Sequence, residues 1–219
     1  MNKQSEKTRA KKIFDLLDRE YPDVKPALEY TNAFELLIAT ILSAQCTDAR
    51  VNIVTKDLFK KYKKPADYLK VSDEELEKDI FSTGFYRQKA KSIKNCCEEL
   101  VAKYNGKVPA DFEALTNLPG VGRKTASVVA GNAFGIPSIA VDTHVKRLSN
   151  LLGFLKSSDP IKIEFRLKEL LPESRWINTA HWLASHGRKV CIARRPKCYE
   201  CVIGQLCPSF NPSSQKKGN

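Results

Sequence analysis

Apolar residues recur along this chain at three- and four-residue spacing, and nowhere in strict alternation between hairpin turns. That period belongs to helices, so the pattern predicts an all-α protein of roughly ten helices joined by short loops. Ala10, Ile13, Phe14, Leu17 and Tyr21 form one stripe over 5–21, with Ser5 expected as its cap and Pro22 and Pro26 ending it. Asn32 with Glu35 resembles a capping box in front of Phe34, Leu37, Ile38, Ile41 and Leu42. That segment is nearly all apolar, which predicts a central place in a core. A polar interruption, Ser43 to Asp48, precedes a helix carrying Val51, Val54, Leu58, Phe59 and Tyr62. Ser72 and Glu75 form a second capping box before Leu76 and Ile80.

Thr83-Gly84-Phe85 reads as a glycine turn opening a long helix through Ala90, Ile93, Cys97, Leu100, Val101 and Tyr104. Asn105-Gly106 stops it as a left-handed C-cap would. A short helix is expected over 111–115. Asp142 opens a helix with Val145, Leu148 and Leu152, ended by Gly153. Pro160 starts another, with Ile163, Leu167, Leu170 and Leu171, ended by Pro172, and 176–186 reads as helical. From Ser209 the chain is polar and is expected to be loose.

Between these lies Leu118-Pro119-Gly120-Val121-Gly122-Arg123-Lys124. Pro119 is excluded from a helix interior, and glycines two apart permit backbone angles that other residues resist. Ala126, Val129, Ala130 and Ala133 predict a helix over 123–134. The stretch therefore reads as a tight hairpin feeding a helix N-terminus, whose open amides and positive dipole end suit a phosphate. Lys124 stands in the first turn, at the unfavourable end of that dipole and beside Arg123. Both placements disfavour the ammonium, and a neutral amine is a nucleophile. Asp142 follows eighteen residues later. A helix over 123–134 climbs roughly 18 Å, and the extended segment 135–141 returns roughly 23 Å, so the carboxylate has the reach to come back. Read singly, Lys124 is also a solvated lysine and Asp142 an N-cap.

Charge and cysteine sharpen the picture. The 219-residue chain is 42% hydrophobic, enough for one large domain or two small ones. Its net charge of +12 points to an anionic partner, nucleic acid first. The hydrophilic N-terminus has no signal core and no run is long enough to span a membrane, so a soluble, intracellular protein is expected; it is taken to be cytoplasmic and monomeric. Of seven cysteines, Cys191, Cys198, Cys201 and Cys207 are spaced C-x6-C-x2-C-x5-C. Four thiols so close predict a metal site, zinc by default or a four-iron cluster, and the spacing leaves both open. Cys46, Cys96 and Cys97 read as small core residues. Arg188, Lys189, Arg194, Arg195 and Lys197 crowd the first two of the four thiols, a plausible grip for phosphate on a pinned loop.

Together these features resemble the endonuclease III family, bifunctional DNA glycosylases of the helix-hairpin-helix superfamily. The resemblance covers Phe34 to about Cys207. It rests on the hairpin through Thr125-Ala126, on Ile139-Ala140-Val141-Asp142-Thr143-His144, on Leu42-Ser43-Ala44-Gln45 and on the cysteine spacing. It implies two helical domains flanking a DNA-binding cleft. One is a six-helix barrel with the helix-hairpin-helix, over 26–136. The other is an iron–sulfur cluster domain from 1–25 and 137–211, with 212–219 as a loose tail. It implies a [4Fe-4S] cluster on the four cysteines, Lys124 as catalytic amine and Asp142 as catalytic carboxylate. Gln45 takes the place of the residue that fills the gap left by an extruded nucleotide. Phe85 stands where an aliphatic wedge is common. Gly120 and Gly122 hold a phosphate, and Arg123 and His144 contact the backbone. The implied partner is double-stranded DNA carrying damaged bases or abasic sites. The implied activity is removal of oxidised pyrimidines with abasic-site lyase action, located on the nucleoid. Mismatch adenine glycosylases of this architecture lack the hairpin lysine and carry a further C-terminal domain, so Lys124 and the end near residue 219 argue against that class, and a bifunctional enzyme is expected. A DNA-binding module without activity needs neither Lys124 nor Asp142.

Overall fold

The computed structural model describes residues 3–211, and the tail expected at 212–219 lies outside the described residues. Every regular element among the described residues is helical. In chain order they are α1 (Lys3–Glu20), α2 (Ala33–Leu42), α3 (Asp48–Lys61), α4 (Pro65–Lys70), α5 (Asp73–Ile80), α6 (Tyr86–Tyr104), α7 (Phe112–Thr116), α8 (Arg123–Phe134), α9 (Thr143–Leu151), α10 (Pro160–Leu170) and α11 (Trp176–Lys189), with short 3-10 turns between some of them. Among the described residues no helix is long and apolar enough to cross a membrane.

The chain forms two compact units, Pro26–Ile136 and Met1–Lys25 with Pro137–Asn219. In the first, α2 is the central helix, as its composition predicts: Leu36, Leu37, Ile38, Ala39 and Leu42 are fully buried. It packs against α8, α3 and α6. Asn32 caps it by accepting from the Glu35 amide at 3.0 Å, while Glu35 reaches one residue past the expected box to accept from the Thr31 amide at 2.6 Å. Fully buried Tyr68 stacks edge-on against Phe34 and tilts onto Tyr62, closing the core from α4. The α4 turn was not legible from periodicity, because six residues hold too little of it. Pro65 at its first position and the Asp67 carboxylate, accepting from the amides of Lys63 and Lys64, start it instead.

In the second unit α1 supplies the stripe Ala10, Ile13, Phe14 and Leu17, all fully buried. Phe14 meets Phe154 and Trp182, and Arg9 donates to the carbonyls of Leu152 and Leu206. Ser5 does not cap α1. The helix already starts at Lys3, and a capping residue needs extended backbone.

Further departures have local causes. Val101 is 42% exposed, because the buried face of α6 centres on Ile93, Cys96, Cys97 and Leu100 and leaves its neighbour turned outward. Cys46 is half-buried in a turn rather than helical and buried, whereas Cys96 and Cys97 are fully buried. The last helix extends to Lys189, three residues beyond the expected end. Asn105 and Gly106 are both left-handed, as the stop signal predicts, and the Gly106 amide donates to the Leu100 carbonyl.

Candidate active site

Lys124 is exposed in the first turn of α8, whose bounds are those the apolar spacing predicts. The hairpin before it closes through the Val121 amide and the Leu118 carbonyl at 3.1 Å, and no acceptor among the described residues engages the amides of Gly120 or Gly122. Gly122 is the N-cap of α8 and offers no side chain to the helix's open donors. Gly120 has φ +74, and a Cβ on it would stand 2.8 Å from the Cβ of Ser92 on α6. Glycine is thus required there twice, by backbone angle and by the close approach of α6. Arg123 does not point freely outward: its guanidinium lies 5.2 Å from the Phe112 ring centroid.

Two further singled-out residues share an uncommon backbone. Gln45 has φ +53 and Phe85 φ +49; with Asn105 they are the non-glycine residues of positive φ among the described residues. Both are exposed, Phe85 at 65%. A non-glycine residue held there costs of order 1 kcal/mol or more and needs surroundings that enforce it. Phe85 follows Gly84, φ +70, and serves as the N-cap of α6 without a side-chain cap. Beside both turns stands Lys89, which the motifs did not single out. It is 5% exposed, and its Nζ donates to the carbonyls of Leu42 at 2.7 Å and Thr83 at 2.8 Å. The legible signal was a lysine on the buried stripe of α6, four residues before Ile93.

In the other unit Asp142 caps α9, its Oδ1 accepting from the Val145 amide at 2.7 Å. It is half-buried. Its charge is felt by His181 on α11: burial and Arg188 lower that imidazole's pKa, and Asp142 opposes them. His144, in the first turn of α9, is half-buried where α9 and α11 cross at Gly187. A Cβ on Gly187 would meet His144 Nδ1 at 2.9 Å.

Cys191, Cys198, Cys201 and Cys207 line one cavity of about 100 Å³, walled mostly by apolar side chains such as Leu148, Leu152 and Ile203, with His186 and Lys197 also on its lining. Burial pushes Cys201 up to about 11 and raises Cys191 and Cys207. Four thiolates gathered here therefore require a compensating cation. Among the described residues no three His, Cys, Asp or Glu side chains converge tightly enough on one point to hold a single ion. Two residues absent from the sequence reading support the sulfurs. Arg147 donates to the Gly187 carbonyl at 3.2 Å and to the Cys191 sulfur at 3.6 Å. His186, 1% exposed, stands between the Tyr21 hydroxyl (3.0 Å) and the Cys201 sulfur (3.4 Å). Burial, with Arg147 near, holds His186 down to about 4, so its ring is neutral and has one donor and one acceptor nitrogen for these two partners. On the loop itself Arg194 and Arg195 are exposed, as are Arg188 and Lys189 at the end of α11; Lys197 is half-buried and pairs with Glu200 at 3.4 Å.

Residues 38–173 match the HhH-GPD superfamily of base excision DNA repair proteins. An endonuclease III from Synechocystis sp. is 49% identical over 95% of this chain and 96% of its own length. One from Bacillus subtilis is 48% identical over 88% of this chain and 89% of its own. A solved structure of a trapped endonuclease III–DNA covalent intermediate, an estranged-adenine complex, superposes with a TM-score of 0.91 at 46% identity, covering 98% of this chain and all of that one. Likeness that close, sustained through both compact units, leaves one assignment: the chain belongs to the endonuclease III family of the HhH-GPD superfamily.

Proposed function

We infer that this chain is a base excision repair DNA glycosylase that removes oxidised pyrimidines from duplex DNA and cleaves the resulting abasic site on its 3′ side. The observation that carries this reading is its likeness to an endonuclease III trapped covalently on DNA, combined with an exposed lysine opening the helix after the hairpin. Lys124 is the nucleophile and Asp142 the carboxylate that stabilises positive charge growing at the sugar C1′. The damaged base must first leave the stack, which costs least where damage has weakened stacking. Gln45 and Phe85 fill the space it vacates, Phe85 by stacking. The open amides of Gly120 and Gly122 hold a phosphate, and Arg123, His144, Arg194, Arg195 and Lys197 contact the backbone.

The deprotonated Nζ of Lys124 bonds to C1′ as the C1′–N bond breaks, its electron pair leaving with the base, which takes up a proton. Opening of the sugar ring gives a protonated imine, which acidifies the C2′ hydrogen. Loss of that proton supplies the pair that expels the 3′ phosphate oxygen. An amine is needed because water forms no imine and so gives no lyase step.

Cys191, Cys198, Cys201 and Cys207 hold a [4Fe-4S] cluster. The all-thiolate donor set fits it as it fits zinc, and the likeness to the endonuclease III relatives is what favours the cluster. Bound there, the cluster supplies charge compensation and a rigid cross-link rather than a reaction step. Residues 26–136 then form the barrel domain with the helix-hairpin-helix, and 1–25 with 137–211 the cluster domain. The partner is double-stranded DNA bearing damaged bases or abasic sites, which gives a cytoplasmic, nucleoid-associated enzyme.

Borohydride reduction on an abasic duplex tests the central claim. Wild-type protein is expected to form a covalent adduct, and Lys124→Ala none. Equal adduct from both would remove Lys124 as the nucleophile.

A further inference from the structure

The two exposed left-handed residues, Gln45 and Phe85, lie on separate turns with α3, α4 and α5 between them in the chain. The first turn leaves the C-terminus of α2, and the second feeds the N-terminus of α6. Lys89 reaches from the first turn of α6 to an acceptor at the root of each, the Leu42 carbonyl and the Thr83 carbonyl. Leu42 is the last residue of α2, so its carbonyl belongs to the end of a helix that draws a cation. Thr83 is itself fixed: 2% exposed, with its hydroxyl donating to the Ile80 carbonyl at 2.8 Å. The main-chain amide of Lys89 donates to the Phe85 carbonyl at 3.0 Å. One side chain therefore ties together the roots of both turns, while the main-chain bond to Phe85 is the opening i→i−4 bond of α6, which a side-chain substitution leaves in place.

The chemistry of the contact explains why a charged group sits in this core. An ammonium carries three donors and no acceptor, so it can serve two carbonyls from different segments at once. Charge-assisted bonds of this kind offset the cost of removing the cation from water. Burial lowers its pKa from the ordinary lysine value, with Cys46 nearby opposing. A purely apolar residue would suit the stripe better, since Ile93 and Leu100 on the same helix are fully buried. Lys89 and Ser92 fall on one face of α6, at three-residue spacing, with Phe85 at its N-cap. Ser92 is the residue against which the hairpin glycine Gly120 packs. Both turns and the hairpin thus take their positions from one helix face.

The geometry points to Lys89 as a positioning residue that sets Gln45 and Phe85 at a fixed separation for entry into the duplex when the damaged base leaves it, an inference that rests on the roles given to those two residues above. It touches neither DNA nor the reacting atoms. Its loss is felt in base extrusion, and a site that already lacks its base escapes most of that cost.

The test compares two substrates under single-turnover conditions: a duplex with one oxidised pyrimidine, and the same duplex with a preformed abasic site. For Lys89→Met the ratio of the first rate to the second is expected to fall at least about tenfold. A double-mutant cycle supplies the second reading. In a Gln45→Ala/Phe85→Ala background, adding Lys89→Met is expected to change the ratio by less than about twofold, since a residue that acts through two others has nothing left to act on. An unchanged ratio in the wild-type background, or the full tenfold loss persisting in the double variant, overturns the inference. Should Lys89→Met lose its cooperative thermal transition, Lys89→Gln, which keeps two N–H donors on a shorter stem, is read by the same ratio and the same cycle. Wild-type protein that forms no borohydride adduct removes the glycosylase–lyase reading itself, and the inference with it. Normal wild-type trapping with an unchanged Lys89→Met ratio removes the inference alone.

Discussion

At the scale of single residues, Asp142 has one observed role and one proposed role, which a single substitution would confuse. It caps α9 through Oδ1 and the Val145 amide, and the proposed chemistry asks its charge to answer the sugar's developing cation. Asparagine separates them. It is as good an N-cap as aspartate, so Asp142→Asn is expected to keep stability within a few tenths of a kcal/mol, whereas Asp142→Ala loses about 1 kcal/mol. Base excision is expected to drop by at least about a hundredfold in both, the order seen when one electrostatic stabiliser of a transition state is removed. Thermal denaturation beside single-turnover kinetics reads the two effects apart. An Asn variant of full activity would leave Asp142 as a cap and nothing more. The sequence could not choose between these roles, because an N-cap and a catalytic carboxylate present the same residue at the same place.

At the scale of elements, legibility followed period. The bounds of α8 and the central place of α2 came from apolar spacing, which packing reads directly. The left-handed end of α6 came from Asn105-Gly106, whose backbone preference is intrinsic. Contacts between a side chain and a distant carbonyl have no period, so Lys89, Arg147 and His186 stayed invisible as site residues although each lies on a helix correctly placed. The left-handed state of Gln45 was likewise hidden, because glutamine has no preference for it. The hairpin shows how such contacts constrain an element. Gly120→Ala would put a methyl group 2.8 Å from the Ser92 Cβ while holding a non-glycine residue at φ +74. We expect a loss of about 1–3 kcal/mol in stability and a matching loss of DNA affinity, measured by thermal melting and anisotropy. Adding Ser92→Gly removes the steric part and leaves the backbone part, so it is expected to restore the hairpin partially, less its own helix cost of about 1 kcal/mol. Full additivity of the two losses would mean that α6 does not seat the hairpin.

At the scale of the whole molecule, the net charge of +12 makes DNA affinity a function of salt. Each phosphate neutralised contributes about −0.9 to the slope of log K against log salt, so basic residues are counted by their effect on that slope. Arg194 and Arg195 are exposed on the cysteine loop, and each alanine substitution is expected to reduce the slope by about one. Lys197 is a sharper case. Its ammonium lies 3.4 Å from the Glu200 carboxylate, so part of its charge is already answered within the protein. A solvent-accessible pair of this kind is worth little in itself, yet it must be exchanged for the phosphate contact before any counterion is released on its account. Lys197→Ala is therefore expected to reduce the slope by clearly less than one, and Glu200→Gln to raise affinity while returning Lys197 to the full count. Anisotropy titrations from about 50 to 200 mM salt give all four slopes. A Lys197→Ala slope equal to those of the two arginine variants would mean that DNA draws the ammonium fully away from Glu200, making the pair a resting position for a phosphate ligand rather than a restraint on it.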